Sequence, residues 1–509
     1  MSQQLTLIAR PPEATLEQSL RELLSNAPYL GVALALHLLV LLVFLNLTVE
    51  LPELEVGTIV QASVPPAPPE VVTIPDPVEP PEFMDPTATF SEDPLPTEVS
   101  AEPTLLPSDL PPSNALSASM GVDSVLGLGS GPAGDFGGGG RGGHGTHHPG
   151  EPNVQAGLAW LAAHQDPAGF WSANGFEDQC GVLGADGPCG GRGSPRFDVG
   201  VTGLALLAFL GAGHTDRHGD YKAVVKDGLR YLRDIQASDG SMESPRSSQG
   251  TYDHIIATLA LCDAYHYSRS HKLRGPAEAA LAHMYELRTP GSGWRYGPDH
   301  ETAAIPGQSA DTSVTGWAML AMAEAKRAGL RFEPAAMEDA LLFLDEMTSR
   351  DTGRTGYVHP GGNSAREDGL EVVFPAEQSE AMTAVALLSR IFADPDLARP
   401  GHRELIEKGA DLLAALPPIW DDDRPGRRDY YYWYYGTYAL YQVGGKRWRQ
   451  WEAAIIESIA KHQHRDGERT GSWDPQLDPW GHLGGRVYST ALLTLTLEVF
   501  YRYETVMGG

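Results

Sequence analysis

The 509-residue chain carries 66 Asp and Glu against 37 Lys and Arg, a formal net charge of −29 at pH 7. So acidic a chain repels a phosphate backbone, which excludes nucleic acid as a partner. Its length exceeds what one ordinary core fills, and its three cysteines are too few for a disulfide-built fold.

Residues 1–28 contain Arg10 and Arg21, and from Leu30 to Val49 the chain is an almost unbroken run of Leu, Val and Ala. A run of this length matches the roughly 30 Å hydrocarbon core of a bilayer, so residues 29–49 are predicted to form one transmembrane helix. No small-residue cleavage site follows it, which favours an uncleaved anchor. Between Arg21 and Arg141 there is no Lys or Arg, and Glu50, Glu53 and Glu55 follow the run directly. This asymmetry predicts a single-pass inner-membrane protein with residues 1–28 cytoplasmic and everything after the span periplasmic.

His37 sits centrally in the span. Two readings stand open: a residue that couples to a partner helix, or a neutral imidazole tolerated in a simple anchor. Residues 50–120 are Pro-rich and acidic, as in Pro65-Pro66-Ala67-Pro68-Pro69, and residues 121–150 are Gly-rich. Neither composition can build a core, so both are predicted as disordered linker, a semi-rigid spacer followed by a flexible joint. A span with a central His37 ahead of a Pro-rich spacer resembles the anchor of TonB-type energy transducers. Ala33 stands where that family has Ser, four residues before the His.

Residues 151–505 carry a repeat. It runs Gly157-x-x-Trp160-Leu161-x-x-x-Gln165-x-x-x-Gly169-x-Trp171, again as Gly228-x-x-Tyr231-Leu232-x-x-x-Gln236-x-x-x-Gly240-x-Met242, and ends a third time at Gln463 with Gly471-Ser472-Trp473. Apolar segments lie between the copies, each with one Thr: Thr202, Thr258, Thr315, Thr383, Thr437 and Thr490. The motif-bearing segments are amphipathic at helical spacing, whereas the Thr-bearing ones are apolar nearly all round and must be buried. Alternation of the two predicts an all-α fold, an (α/α)6 toroid of six helical hairpins in two concentric rings. Gln165, Trp171, Gln236, Gln463 and Trp473 read as staples: the Gln satisfies orphan carbonyls, the Gly turns the chain and the Trp covers the joint.

These segments resemble the repeats of squalene and hopene cyclases and of protein prenyltransferase β subunits. The resemblance implies the toroid and raises two activities. Aligned on the Thr register, the zinc ligands of the prenyltransferases fall on Trp433, Tyr435 and Ser489, which cannot supply thiolate, imidazole and carboxylate. The Asp-x-Asp-Asp acid of the cyclases has no counterpart. No cofactor fingerprint and no clustered metal ligands appear, so neither a cofactor nor a metal is expected.

Candidate chemistry is therefore confined to the starts of the buried helices. Asp253, His254 and Asp311 are the weak catalytic candidates, and each Asp reads first as a helix cap. Trp317, Trp433, Tyr434, Tyr438, Arg486 and Tyr488 are candidates to line a ligand cavity, against the alternative that aromatic bulk fills the ring. Cys180 and Cys189 share a Gly-rich loop, either as a disulfide or as two free thiols, and an extracytoplasmic setting favours the bridge. The reading that follows is a membrane-anchored, extracytoplasmic and non-catalytic module that binds or scaffolds an envelope protein, lipid or glycan. The alternatives are a terpenoid cyclase or other isoprenoid-modifying enzyme, and an envelope glycan hydrolase or lyase.

Overall fold

Apolar segments separated by amphipathic ones fold into twelve α-helices, with no β-strand among the described residues. The computed structural model describes residues 149–181, 188–242, 250–296, 310–367, 369–421 and 427–502. The expected cytoplasmic segment, the span with His37, and the linkers up to residue 148 lie outside them. No helix among the described residues is long and apolar enough to cross a membrane.

The helices are α1 (Glu151–Ala163), α2 (Asp198–Gly211), α3 (Lys222–Ile235), α4 (Gly250–Ser268), α5 (His271–Glu286) and α6 (Thr312–Ala328). They continue as α7 (Pro334–Glu346), α8 (Ala381–Ala393), α9 (His402–Ala415), α10 (Tyr430–Val443), α11 (Gly445–Ser458) and α12 (Gly481–Arg502). Even-numbered helices pack on one another in sequence, and α12 packs back on α2, closing an inner ring. Odd-numbered helices pack outside it: α3 on α2, α5 on α4, α9 on α8, α11 on α10, and α1 on α12.

Burial follows the sequence pattern. In α2 every residue from Val199 to Leu210 is buried, and in α6 only Lys326 and Arg327 are not. By contrast α3 buries one stripe, Val225, Gly228, Leu229 and Leu232. A helix with no polar face has nowhere stable to lie but between two layers, which sets the concentric order.

The repeat residues hold the layers together through the same bonds each time. Gln165 Nε2 donates to Gly169 O at 2.7 Å and to Val224 O at 2.9 Å, on the first turn of the next outer helix. Gln236 repeats this with Gly240 O at 3.2 Å and Pro276 O at 3.0 Å. Gln463 closes the circle, donating to Gly471 O and to Asn153 O in α1, both at 2.8 Å, while Asn153 Nδ2 returns a bond to Gln463 Oε1. Gly169, Gly240 and Gly471 have φ of +103°, +90° and +92°, and a Cβ on any of them would lie within 2.4 Å of a backbone carbonyl of the neighbouring outer helix. Glycine is required there twice over, by conformation and by space. The indoles of Trp171, Trp294 and Trp473 donate to Leu161 O, Met284 O and Ile459 O, capping carbonyls at the end of the preceding outer helix.

The buried Thr residues serve the same joints. Thr202 Oγ1 accepts from Trp171 N at 2.9 Å, Thr315 from Trp294 N at 3.0 Å and Thr383 from Thr355 N at 3.2 Å. Two repeats depart: Met242 N donates instead to His254 Nδ1 at 3.2 Å while the Thr258 hydroxyl turns back to His254 O, and Thr437 Oγ1 accepts from the Trp451 indole at 2.8 Å.

Candidate functional site

The first turns of the inner helices, together with the loops that enter them, surround a cavity of about 650 Å3. The ring is therefore not filled solid. Phe197, Tyr252, Tyr296, Trp317, Tyr357, Tyr431, Trp480 and Tyr488 supply aromatic wall, and Asp253, Arg295, Ser313, Arg366 and Glu367 supply its polar groups.

Local bonding explains how residues far apart in sequence meet there. Asp311 N donates to Trp294 O, and Thr312 N to Tyr357 O, so the start of α6 draws in the segments carrying Arg295, Tyr296 and Tyr357. Asp311 itself caps α6, accepting from Val314 N at 2.9 Å and from Ser313 Oγ at 2.7 Å through the same oxygen. Its other carboxylate oxygen is buried with no hydrogen-bond partner among the described residues. Burial pushes the Asp311 carboxyl up to about 6, against the lowering effect of those bonds. Burial, and then the Asp311 charge, raise the Tyr296 and Tyr357 phenols.

The opposite wall is built around Arg366. Its guanidinium donates to Asp429 Oδ2 at 2.9 Å and to Phe374 O at 3.0 Å, which fixes the loop between α7 and α8. Asp429 also caps α10 through Tyr432 N. Asp478 accepts from Tyr430 N and from Trp480 N, holding Trp480 to the cavity, and burial with the nearby Asp429 charge raises its carboxyl far above the usual range. At the rim the half-exposed Glu367 pairs with His482 at 2.6 Å, tying that loop to the first turn of α12 and raising the imidazole. Trp317 Nε1 donates to the Tyr252 hydroxyl at 3.0 Å, and the Trp317 ring stacks on Tyr434. The Tyr488 hydroxyl is buried with no hydrogen-bond partner among the described residues.

Of the expected cavity residues, Trp317 and Tyr488 line it, and Asp253 joins them from α4. Trp433, Tyr434, Tyr438 and Arg486 do not. Trp433 lies one helical turn before Thr437 and faces the outer layer, against Trp420 and Tyr430. Tyr434 stands behind Trp317, and Tyr438 packs on Phe392. Arg486 donates to Gly190 O and Ser472 Oγ, away from the cavity.

His254 has both ring nitrogens occupied, Nδ1 by Met242 N and Nε2 against Ala280 O at 3.0 Å. Burial drives its pKa down to about 3, so it is a neutral strut with no nitrogen left for proton transfer. Sequence reasoning missed Tyr252, Tyr296, Tyr357, Tyr431, Arg295, Arg366, Glu367 and Trp480. The Tyr431 signal was present in the aromatic run of α10, but most of the others lie in loops without periodicity.

Beside the first joint, Cys180 and Cys189 are joined as a disulfide, with His164 against them. Burial lowers the His164 pKa, keeping the imidazole neutral.

Fold and site together define an all-α toroid with a mixed aromatic and polar cavity at one end of its inner ring. The sequence matches no protein-family model and no curated protein. Similar solved structures include the α-1,6-mannanase GH76A from Salegentibacter sp. HEL1_6 (11% identity, 68% of this chain and 97% of that chain, TM-score 0.44). The type II terpene cyclase MstE from Scytonema is another (16% identity, 68% and 97%, TM-score 0.43). A third is an α-amylase from Clostridium perfringens (11% identity, 70% and 100%, TM-score 0.44).

Proposed function

We propose that the toroid is a binding module of the cell envelope whose cavity takes a carbohydrate chain, held at an inner membrane by the Leu30 to Val49 segment. The observation that carries this reading is the mixed wall: the aromatic rings of Trp317, Tyr431 and Trp480 stand together with the polar groups of Arg295, Arg366 and Asp253. A sugar ring offers apolar faces to aromatic rings and hydroxyls to the fixed polar groups. An isoprenoid chain would desolvate those groups without replacing their hydrogen bonds, at roughly 1–3 kcal/mol for each.

Glycan cleavage is the second reading, supported by the Asp253 carboxylate on the wall. The purified full-length chain, titrated calorimetrically with soluble envelope oligosaccharides and separately with polyprenyl phosphates, decides between ligand classes. Binding of the glycan and not the lipid supports the proposal; the reverse removes it. Release of reducing ends, lost in Asp253→Asn, would establish cleavage.

A further inference from the structure

We propose that His164, Cys180 and Cys189 form a redox-gated site for a soft divalent metal such as zinc: a disulfide when oxidised, a three-ligand metal site when reduced. Their donor atoms are the one cluster of three metal-ligating groups within 4.8 Å of one another among the described residues. His164 Nδ1 lies 2.8 Å from Trp160 O, and because a carbonyl only accepts, that nitrogen carries the proton. The lone pair of the neutral ring is then on Nε2, which points at Cys189 Sγ at 3.1 Å and Cys180 Sγ at 3.8 Å. A backbone carbonyl on the far nitrogen is the usual way a metal-ligating imidazole is oriented. The Trp160 ring stacks on His164 at 4.1 Å and holds the plane.

Tetrahedral zinc with bonds of about 2.0–2.3 Å puts its donors roughly 3.5 Å apart. Both nitrogen–sulfur edges bracket that value, so only the sulfur–sulfur edge has to open. A dithiol reductant supplies two electrons and two protons, cleaves the S–S bond and leaves as a disulfide, giving two thiols. Zinc then displaces both thiol protons to solvent, and the neutral imidazole binds through Nε2 without losing a proton. Cys180 is partly exposed, which gives metal, reductant and a fourth, water ligand a way in.

Unlike the cavity proposal, this one needs no ligand in the ring. It does reach the cavity wall, because the loop following Cys189 bonds to α12: Arg486 N donates to Gly191 O and Ser194 N to Leu483 O.

The test uses the full-length chain, reduced with a phosphine that does not compete for zinc, equilibrated with zinc and freed of excess. Zinc is then counted by mass spectrometry, beside the unreduced chain and the Cys180→Ser and His164→Gln variants. Each variant keeps the linker residues His144, His147 and His148, so adventitious binding is common to all samples. The expected result is one additional zinc in the reduced chain, with affinity falling at least about tenfold in Cys180→Ser. Cobalt(II) in its place should show thiolate-to-metal absorption. Equal zinc in reduced wild type and Cys180→Ser overturns the proposal, and since Cys180 is partly exposed that comparison decides even if His164→Gln fails to fold.

Discussion

The joints between hairpins and the wall of the cavity are built from the same helices by opposite rules. At the joints one set of bonds recurs: Gln165, Gln236 and Gln463 each donate to two carbonyls, one on their own turn and one on the next outer helix. Along the wall the position recurs and the residue type does not. Gly200, Ile256, Ser313, Ala381 and Tyr488 each line the cavity two residues before a buried Thr, and no two are alike. A position repeated around the ring answers to the ring's geometry, and a position that differs in every hairpin is free to answer to a ligand.

Substitutions at the two regions should therefore separate stability from binding. The largest loss is expected for Gly471→Ala, whose Cβ would lie 2.1 Å from Ala156 O at a φ of +92°, in the joint that closes the circle. Thermal unfolding should show at least about 3 kcal/mol of destabilisation; a stable Gly471→Ala protein would mean that the last joint does not hold the ring.

Asp311→Asn keeps the cap and removes the titration. Because the folded carboxyl is raised to about 6 from 3.8, the folded state holds a proton that the unfolded state releases between those values. Wild-type stability relative to the variant should fall as pH rises from 4 to 6, by at most about 3 kcal/mol, and stay level above. Denaturant melts of both proteins across that range check the sign, and a level difference throughout would contradict the buried, raised carboxyl.

Gln463→Ala removes a donor from two carbonyls and one of the two acceptors of the buried Asn153 amide, which keeps Ala460 O, and should cost about 2 kcal/mol; the half-buried Gln236→Ala should cost about 1 kcal/mol. Equal costs would deny the closing joint its special weight. Smallest in stability is Tyr488→Phe, within about 0.5 kcal/mol of wild type, because it deletes a buried hydroxyl that has no hydrogen-bond partner among the described residues.

What the sequence made legible divides along the same line. The toroid, the staples and the Thr register could be read because each recurs, and recurrence survives the loss of one member: Met242 replaces Trp, and His254 takes over from Thr258 one turn earlier. The wall could not be read. Tyr296, Tyr357, Arg366 and Trp480 come from loops whose placement depends on tertiary bonds such as Thr312 N to Tyr357 O. In α10 aromatic residues occupy every face, so at 100° per residue the pattern could not say that Tyr431 points to the cavity and Trp433 away from it. The Cys180 to Cys189 loop was legible as a pair. His164 was not legible as its neighbour, since it directly precedes Gln165 in the first repeat, among residues read as staples.

The stapled ring keeps an open, polar and aromatic cavity, for which we propose a carbohydrate. Soluble envelope oligosaccharides are titrated calorimetrically into the wild-type chain and into Trp480→Ala, which removes a partly exposed ring of the cavity wall. One binding event per chain is expected, weakened at least about tenfold, or 1.4 kcal/mol, in Trp480→Ala with its helical circular dichroism unchanged. Equal glycan binding by both proteins, or binding of polyprenyl phosphate alone, would contradict the proposal.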